Sequence, residues 1–308
     1  MIPYTRKTLP NGLTVVVNRD RTSKLAAVNI LYRVGARNEN PARTGFAHLF
    51  EHLMFRGTRA VENFDLPVQM ASGDNNAFTN NDYTDFYITL PKDNLETALW
   101  LESDRMEGLD ITPAKLEAEK KVVIEEFRQR YLNQPYGDQT MLLRALAYKV
   151  HPYRWAAIGL ATDHIAGATL ADVESFYRTH YRPSNAILSI SADMEEEWML
   201  ELAEKWFAPL ADHPSETAAI PQEPVQTQAR RQEVERDVPA STVTVAYHMC
   251  ARTKLDFYTA DLVSDLLSGG DSGRLYTHLV KERNLLSSVN AYICLLYTSP
   301  SPRDGLLS

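Results

Sequence analysis

The chain has 308 residues, 44% of them hydrophobic and 23% charged, with a formal net charge of −8. That length suits two domains of ordinary size, and the negative balance argues against a general nucleic-acid role. No apolar run approaches the roughly 20 residues needed to cross a bilayer, and the start, MIPYTRKTLPNGLTVVVNRD, lacks the long apolar core of a signal peptide. Cys250 and Cys294 make neither a disulfide framework nor a cysteine metal site, so a cytoplasmic protein is expected.

LTVVVNRD and KLAAVNILYRVGA read as strands, rich in Val, Ile and Tyr. The polar loop RNENPARTG follows, then an apolar helix from Phe46 to Arg56 that stops at Gly57. DNNAFTNNDYTDFYITLP reads as a hairpin whose second arm, Thr84 to Leu90, alternates and closes at Pro91. NLETALWLESDRMEGL has helical spacing at Leu95, Leu99 and Met106. Thr112 then caps a long helix with Pro113 in first position, running through KLEAEKKVVIEEFRQRYL and stopping before Pro135. TLADVESFYRTHY is a further capped helix, NAILSISADM a strand and EEEWMLELAEKWFAPL a helix.

Residues 211–231, with three prolines and no apolar periodicity, read as a linker after a first domain of residues 1–210. Beyond it, TVTVAYHM reads as a strand, FYTADLVSDLLSGG as a helix ended by glycines, and GGDSGRLY as a turn between helices. This repeats the strand–loop–helix order of the start of the chain. Laying Ala260 on Ala47 puts Asp261, Ser264 and Asp265 where His48, Glu51 and His52 stand. Residues 232–293 are therefore expected to begin a second, related domain without a metal triad. The last stretch, CLLYTSPSPRDGLLS, resembles a translated library adapter and breaks a strand-like pattern after SSVNAYI. Residues 294–308 are expected to be a non-native tail, with the natural chain continuing past that point.

The chemistry concentrates in AHLFEHLMF. His48 and His52, four apart, share one helical face, and Glu51 leans to the same side. Two imidazoles on one face can reach one ion, and a carboxylate beside them can take a proton from water. H-x-x-E-H is the inverted zinc-peptidase motif. Two ordinary histidines on an amphipathic helix are the alternative, which the flanking Leu49, Phe50, Leu53, Met54 and Phe55 disfavour, because buried charge is costly unless it is paired or metal-bound. A catalytic zinc needs a third protein ligand. EAEKKVVIEEF offers Glu117, Glu119, Glu125 and Glu126; Glu119 and Glu126 share a face two turns apart, but spacing alone does not choose Glu126 over Glu125, or separate either from a solvated acidic stripe.

HLFEHLMFRGT, NAFTNNDYTDFYITLP, EKKVVIEEFRQRYLNQPYGD and HPYRWAAIG, in that order and spacing, resemble the pitrilysin/insulinase family of zinc peptidases, which includes the mitochondrial processing peptidases. The resemblance runs from about residue 5 to residue 293 of the sequence. It implies an α+β fold of two related domains, each a mostly antiparallel sheet covered by helices. It also implies one Zn²⁺ on His48, His52 and Glu126, Glu51 as the base, Glu119 as a supporting catalytic glutamate, and Glu125 as a bystander. Asn76, Ala77 and Phe78 match a family strand that binds substrate backbone by β-augmentation, although an Asn-rich turn would account for the asparagines too. His₂Glu itself does not exclude Mn²⁺ or Co²⁺.

One departure stands out. Active relatives carry an Arg, and a Tyr seven residues later, in a segment like R-E-K-x-G-L-A-Y-S-V. Here VKERNLLSSV puts Val280 and Ser287 at those places. The expected function is a zinc metalloendopeptidase acting on extended peptides or unfolded segments, with the Arg/Tyr pair supplied by a homologous subunit or by further domains of the natural chain. The alternatives are a non-catalytic scaffold or recognition subunit of a heteromeric peptidase, and a metal hydrolase of another substrate class.

Overall fold

The alternating segments of the sequence close into one sheet. In a computed structural model that describes residues 2–213 and 219–294, the chain divides into two units, Met1–Thr242 and Val243–Ser308. The first runs β1 (Thr5–Thr8), β2 (Thr14–Arg19), β3 (Leu25–Tyr32), α1 (Phe46–Leu53), α2 (Asp65–Met70), β4 (Asp74–Thr79) and β5 (Thr84–Pro91). It continues with α3 (Leu95–Glu107), α4 (Pro113–Phe127), α5 (Gln139–Ala147), α6 (Thr162–Ala166), α7 (Leu170–His180), β6 (Ala186–Ala192) and α8 (Glu196–Phe207).

The six strands lie in the order β1-β2-β6-β3-β5-β4. Only the β2–β6 pair is parallel, so the sheet is mostly antiparallel as expected. Val15, Val17, Val28, Ile30, Phe86, Ile88, Leu188 and Ile190 all point to one face and are buried there under the helices. Their alternating neighbours Val16, Asn29, Leu31, Tyr87 and Ser189 are half-buried on the other face. This is the period of two that lets an antiparallel sheet hold a core on one side only.

Thr112 caps α4 as its sequence predicts, its hydroxyl accepting from the Lys115 N–H at 3.2 Å. The α-helix ends at Phe127 and continues as one π-helical turn, Arg128–Leu132. β1, α2 and α6, of four, six and five residues, are too short to repeat a hydrophobic period, and α5 also escapes the sequence reading. Residues 219–231 have no regular structure, in keeping with their composition, yet they are held. Glu223 accepts the backbone N–H groups of Lys149, Val150 and His151 at 2.8, 2.8 and 2.9 Å, and Arg230 donates to the carbonyls of Leu146 and Ala147.

The second unit holds α9 (Asp256–Ser268), a turn at Gly270–Ser272 and a π-helical stretch, Tyr276–Glu282. The helix and the glycine turn follow the sequence reading. The expected strand at TVTVAYHM does not form, and Val243, Val245 and Tyr247 are exposed. SSVNAYI is not a strand either. A strand is stabilised by the ladder it joins, and the described residues of this unit contain no other strand to pair with. The expected tail lies outside the described residues apart from Cys294. Among the described residues no helix is long and apolar enough to cross a membrane.

Candidate metal centre

Helix α1 begins where only glycine fits. Gly45, its N-cap, has φ +91°, and a Cβ there would lie 2.6 Å from the Ile158 carbonyl oxygen and 2.8 Å from Ile165 Cδ1. From that turn Phe46, Ala47, Leu49, Phe50 and Leu53 enter the core. The helical period leaves His48, Glu51 and His52 together on the remaining side, towards α4 and β4, which pack against α1.

Helix α4 turns two of its four candidate acids to that side. Leu116, Val123 and Phe127 are buried and set its inward face. Glu119 is 1% exposed, and its Oε2 lies 3.4 Å from His52 Nδ1 while its Oε1 pairs with Arg56. Glu126 Oε1 lies 3.7 Å from His48 Nε2, and its Oε2 lies 3.4 Å from His52 Nε2. Glu117 and Glu125 point away and pair with Lys120 and Arg128.

One donor atom from each of His48, His52 and Glu126 falls within 4.8 Å of the other two, and no other such group of three occurs among the described residues. A tetrahedral zinc with bonds of about 2.0–2.1 Å spaces its ligand atoms about 3.3 Å apart. The observed 3.4 and 3.7 Å separations fit that ion with small side-chain shifts. Two imidazoles and a carboxylate are also the donor set that zinc takes in open, water-accepting sites.

The charges are strongly coupled. Burial, against the pull of Glu126, lowers His48 to about 4. Burial also acts against charge on His52, but its hydrogen bonds to Glu119 and Glu126 win and raise it to about 9. Glu126 is lowered: burial opposes its charge, but the His52 hydrogen bond and the charges of His48 and Arg130 outweigh it. Burial raises Glu51, opposed by a hydrogen bond from Thr79.

Strand β4 carries Asn76, Ala77 and Phe78 opposite Tyr87, Phe86 and Asp85 of β5, and it is one of the two edge strands of the sheet, β1 being the other. Phe78 is exposed, and the Asn76 side chain accepts the Ala77 N–H at 2.9 Å. Thr79, at the end of the same strand, sits near enough to Glu51 to oppose the effect of its burial, and its hydroxyl donates to Thr84 on β5 at 3.4 Å. Val280 lies in the π-helical stretch of the second unit and Ser287 in the irregular segment after it. Three neighbours of the site escaped the sequence reading: Thr79, Arg56, and Arg130, whose Nη2 lies 3.0 Å from Glu126 Oε1. Arg56 and Arg130 each follow a site residue by four, a helical spacing that could have flagged them.

Residues 14–156 match the family model described as Insulinase (Peptidase family M16), and residues 167–307 match the one described as Peptidase M16 inactive domain. The crystal structure of a protease from Helicobacter pylori superimposes with a TM-score of 0.82 at 32% identity, over 94% of this chain and 70% of that one. The chain belongs to the insulinase family, M16. Helicobacter pylori zinc protease PqqE is 35% identical to this M16 chain over 286 residues, covering 91% of the chain and 64% of that protein. A probable mitochondrial-processing peptidase subunit beta of Arabidopsis thaliana is 26% identical over 261 residues, covering 82% and 48%. The M16 chain thus spans about half to two thirds of the length of these relatives. A structure described as a peptidase M16 inactive domain from Pseudomonas fluorescens shares the fold, with a TM-score of 0.74 at 18% identity.

Proposed function

We propose that this M16 chain is the zinc-binding part of a metalloendopeptidase that cleaves extended peptides or unfolded segments. The observation that carries the reading is the convergence of His48, His52 and Glu126 from two helices, with Glu51 beside them. In this reading those three residues hold one Zn²⁺. Zinc, when bound, supplies the Lewis acidity that brings water close to ionisation at neutral pH.

Glu51 takes the proton of the attacking water and returns it to the leaving amine. Its raised affinity for protons, caused by burial, suits that exchange. Glu119 faces His52 Nδ1 and orients that ring, as carboxylates behind metal-bound histidines do. Asn76, Ala77 and Phe78 receive the peptide as an added strand, on the edge strand β4 that packs against the histidine helix α1. The side chains of Val280 and Ser287 can do neither job of an Arg/Tyr pair, so turnover needs that pair from a homologous subunit or from further domains of the natural chain.

The test is zinc stoichiometry together with cleavage of a mixed peptide pool, with and without a homologous protein that carries the Arg/Tyr pair. One zinc per chain and cleavage that needs the homologue are expected. No bound zinc would overturn the metal site. One zinc with no cleavage beside any homologue would favour the non-catalytic scaffold reading.

A further inference from the structure

We propose that Glu39 is a positioning residue for the metal site: its buried carboxylate ties the first turn of α1 to Trp155 and so fixes where His48 stands. The inference rests on the zinc reading above. Glu39 lies in the loop before α1 and is 6% exposed. Its Oε2 accepts the Gly45 N–H at 2.9 Å, and its Oε1 accepts the Ala47 N–H at 2.8 Å. The Trp155 indole Nε1–H is shared between Glu39 Oε2 at 3.1 Å and the Ala36 carbonyl at 3.0 Å.

A helix starts with N–H groups that have no partner inside it. The N-cap residue usually supplies one from its side chain, but the N-cap here is Gly45, which has none to offer. Glu39 fills that role from six residues upstream. A carboxylate at a helix N-terminus also meets the positive end of the helix dipole and makes charge-assisted hydrogen bonds. The N–H groups it holds flank Phe46 and immediately precede His48, the third residue of the helix. His52 stands a turn further on. Loss of the clamp therefore acts first on His48, while Leu49, Phe50 and Leu53 keep the helix anchored in the core.

The same loop reaches the substrate hairpin. The Ala36 and Arg37 N–H groups donate to the carbonyls of Asn80 and Asn81, and Arg37 Nη1 donates to Asp82 at 2.6 Å, all in the loop between β4 and β5. Asn81 Nδ2 in turn donates to the Trp155 carbonyl at 3.0 Å. One buried polar network thus sets the histidine helix against the edge strand, and Glu39 is its contact with the helix. Burial pushes that carboxyl up to about 8, against its hydrogen bonds from Ala47, Gly45 and Trp155; both of its oxygens accept N–H donors, so the clamp holds only while all those partners stay in place.

The experiment compares zinc affinity, by competition with a chromophoric chelator, and the visible spectrum of the Co²⁺-substituted protein in wild type, Glu39→Gln, Glu39→Asp and His52→Ala. Glu39→Gln keeps size and shape but turns an amide NH₂ against an N–H donor. Folded by circular dichroism, it is expected to bind zinc about 10–100-fold more weakly, the range for groups that orient ligands, with an altered Co²⁺ spectrum. Glu39→Asp keeps the carboxyl at shorter reach and is expected to fall between. If His52→Ala binds zinc as wild type does, the metal reading fails and this inference with it. If His52→Ala loses zinc while both Glu39 variants keep wild-type affinity and spectrum, Glu39 is not a positioning residue and the metal reading stands. Should Glu39→Gln fail to fold, Glu39→Asp and Trp155→Phe carry the same readouts, and wild-type values in both would overturn the inference.

Discussion

Helices α1 and α9 carry polar residues at the same three places when Ala260 is laid on Ala47 in the sequence, and only one of them builds a charge cluster. In α1, six residues are buried, and the polar side meets two glutamates from α4. In α9 only Phe257 is buried, Leu262 and Leu266 are exposed, and Ser264 donates to its own helix at the Asp261 carbonyl. Solvated charges hold one another weakly, whereas charges taken out of water are bound to whatever faces them. Three polar residues at helical spacing become a metal-binding geometry only where a second element supplies acid and the surroundings exclude water.

The largest expected effect breaks or keeps that contrast directly. His52→Ala should abolish stoichiometric zinc by metal analysis, whereas Asp261→Ala with Asp265→Ala should leave it at one per chain; zinc loss in the double variant would mean the contrast is misplaced. Next in size, Glu51→Gln should keep the metal and lower peptide cleavage by about 10²–10⁴-fold, measured with the Arg/Tyr-bearing homologue present. Turnover within a few fold of wild type would remove Glu51 as the base. Glu119→Ala should cost about 10–100-fold in zinc affinity or turnover, since it faces His52 from a buried position. Unchanged values for both would make Glu119 part of an ordinary acidic face.

The smallest effect isolates burial without a cation partner. Asp85 on β5 is buried, accepts from Asn29 at 2.7 Å and is pushed up to about 7 by its burial. The folded protein thus holds this proton more tightly than the unfolded chain does. That contribution is complete below about pH 4, the ordinary aspartate range, and is lost as pH rises through the folded value of about 7. Asp85→Asn does not titrate, so its melting temperature should gain on wild type between those limits and then level off, with zinc content unchanged. A constant difference across that range would show that Asp85 ionises as freely in the folded protein as in the unfolded chain.

The sequence by itself determined what local geometry fixes. Strand-forming composition placed β2 and β3, alternation placed β5, and the H-x-x-E-H spacing put His48, Glu51 and His52 on one side of a helix, because rise and turn per residue are properties of the backbone. Thr112 and Pro113 marked the start of α4 for the same local reason. The tertiary structure decided what depends on distant residues. Glu126 turns to the histidines and Glu125 to solvent because Leu116, Val123 and Phe127 bury the neighbouring face of α4. β4 is an edge because, among the described residues, no strand pairs beyond it. TVTVAYHM, a good strand pattern, stays irregular because strand formation needs a ladder as well as a sequence. Glu39, six residues before the glycine it caps, carries no motif at all, since a hydrogen bond across a loop is set by how the loop folds back and not by its spacing.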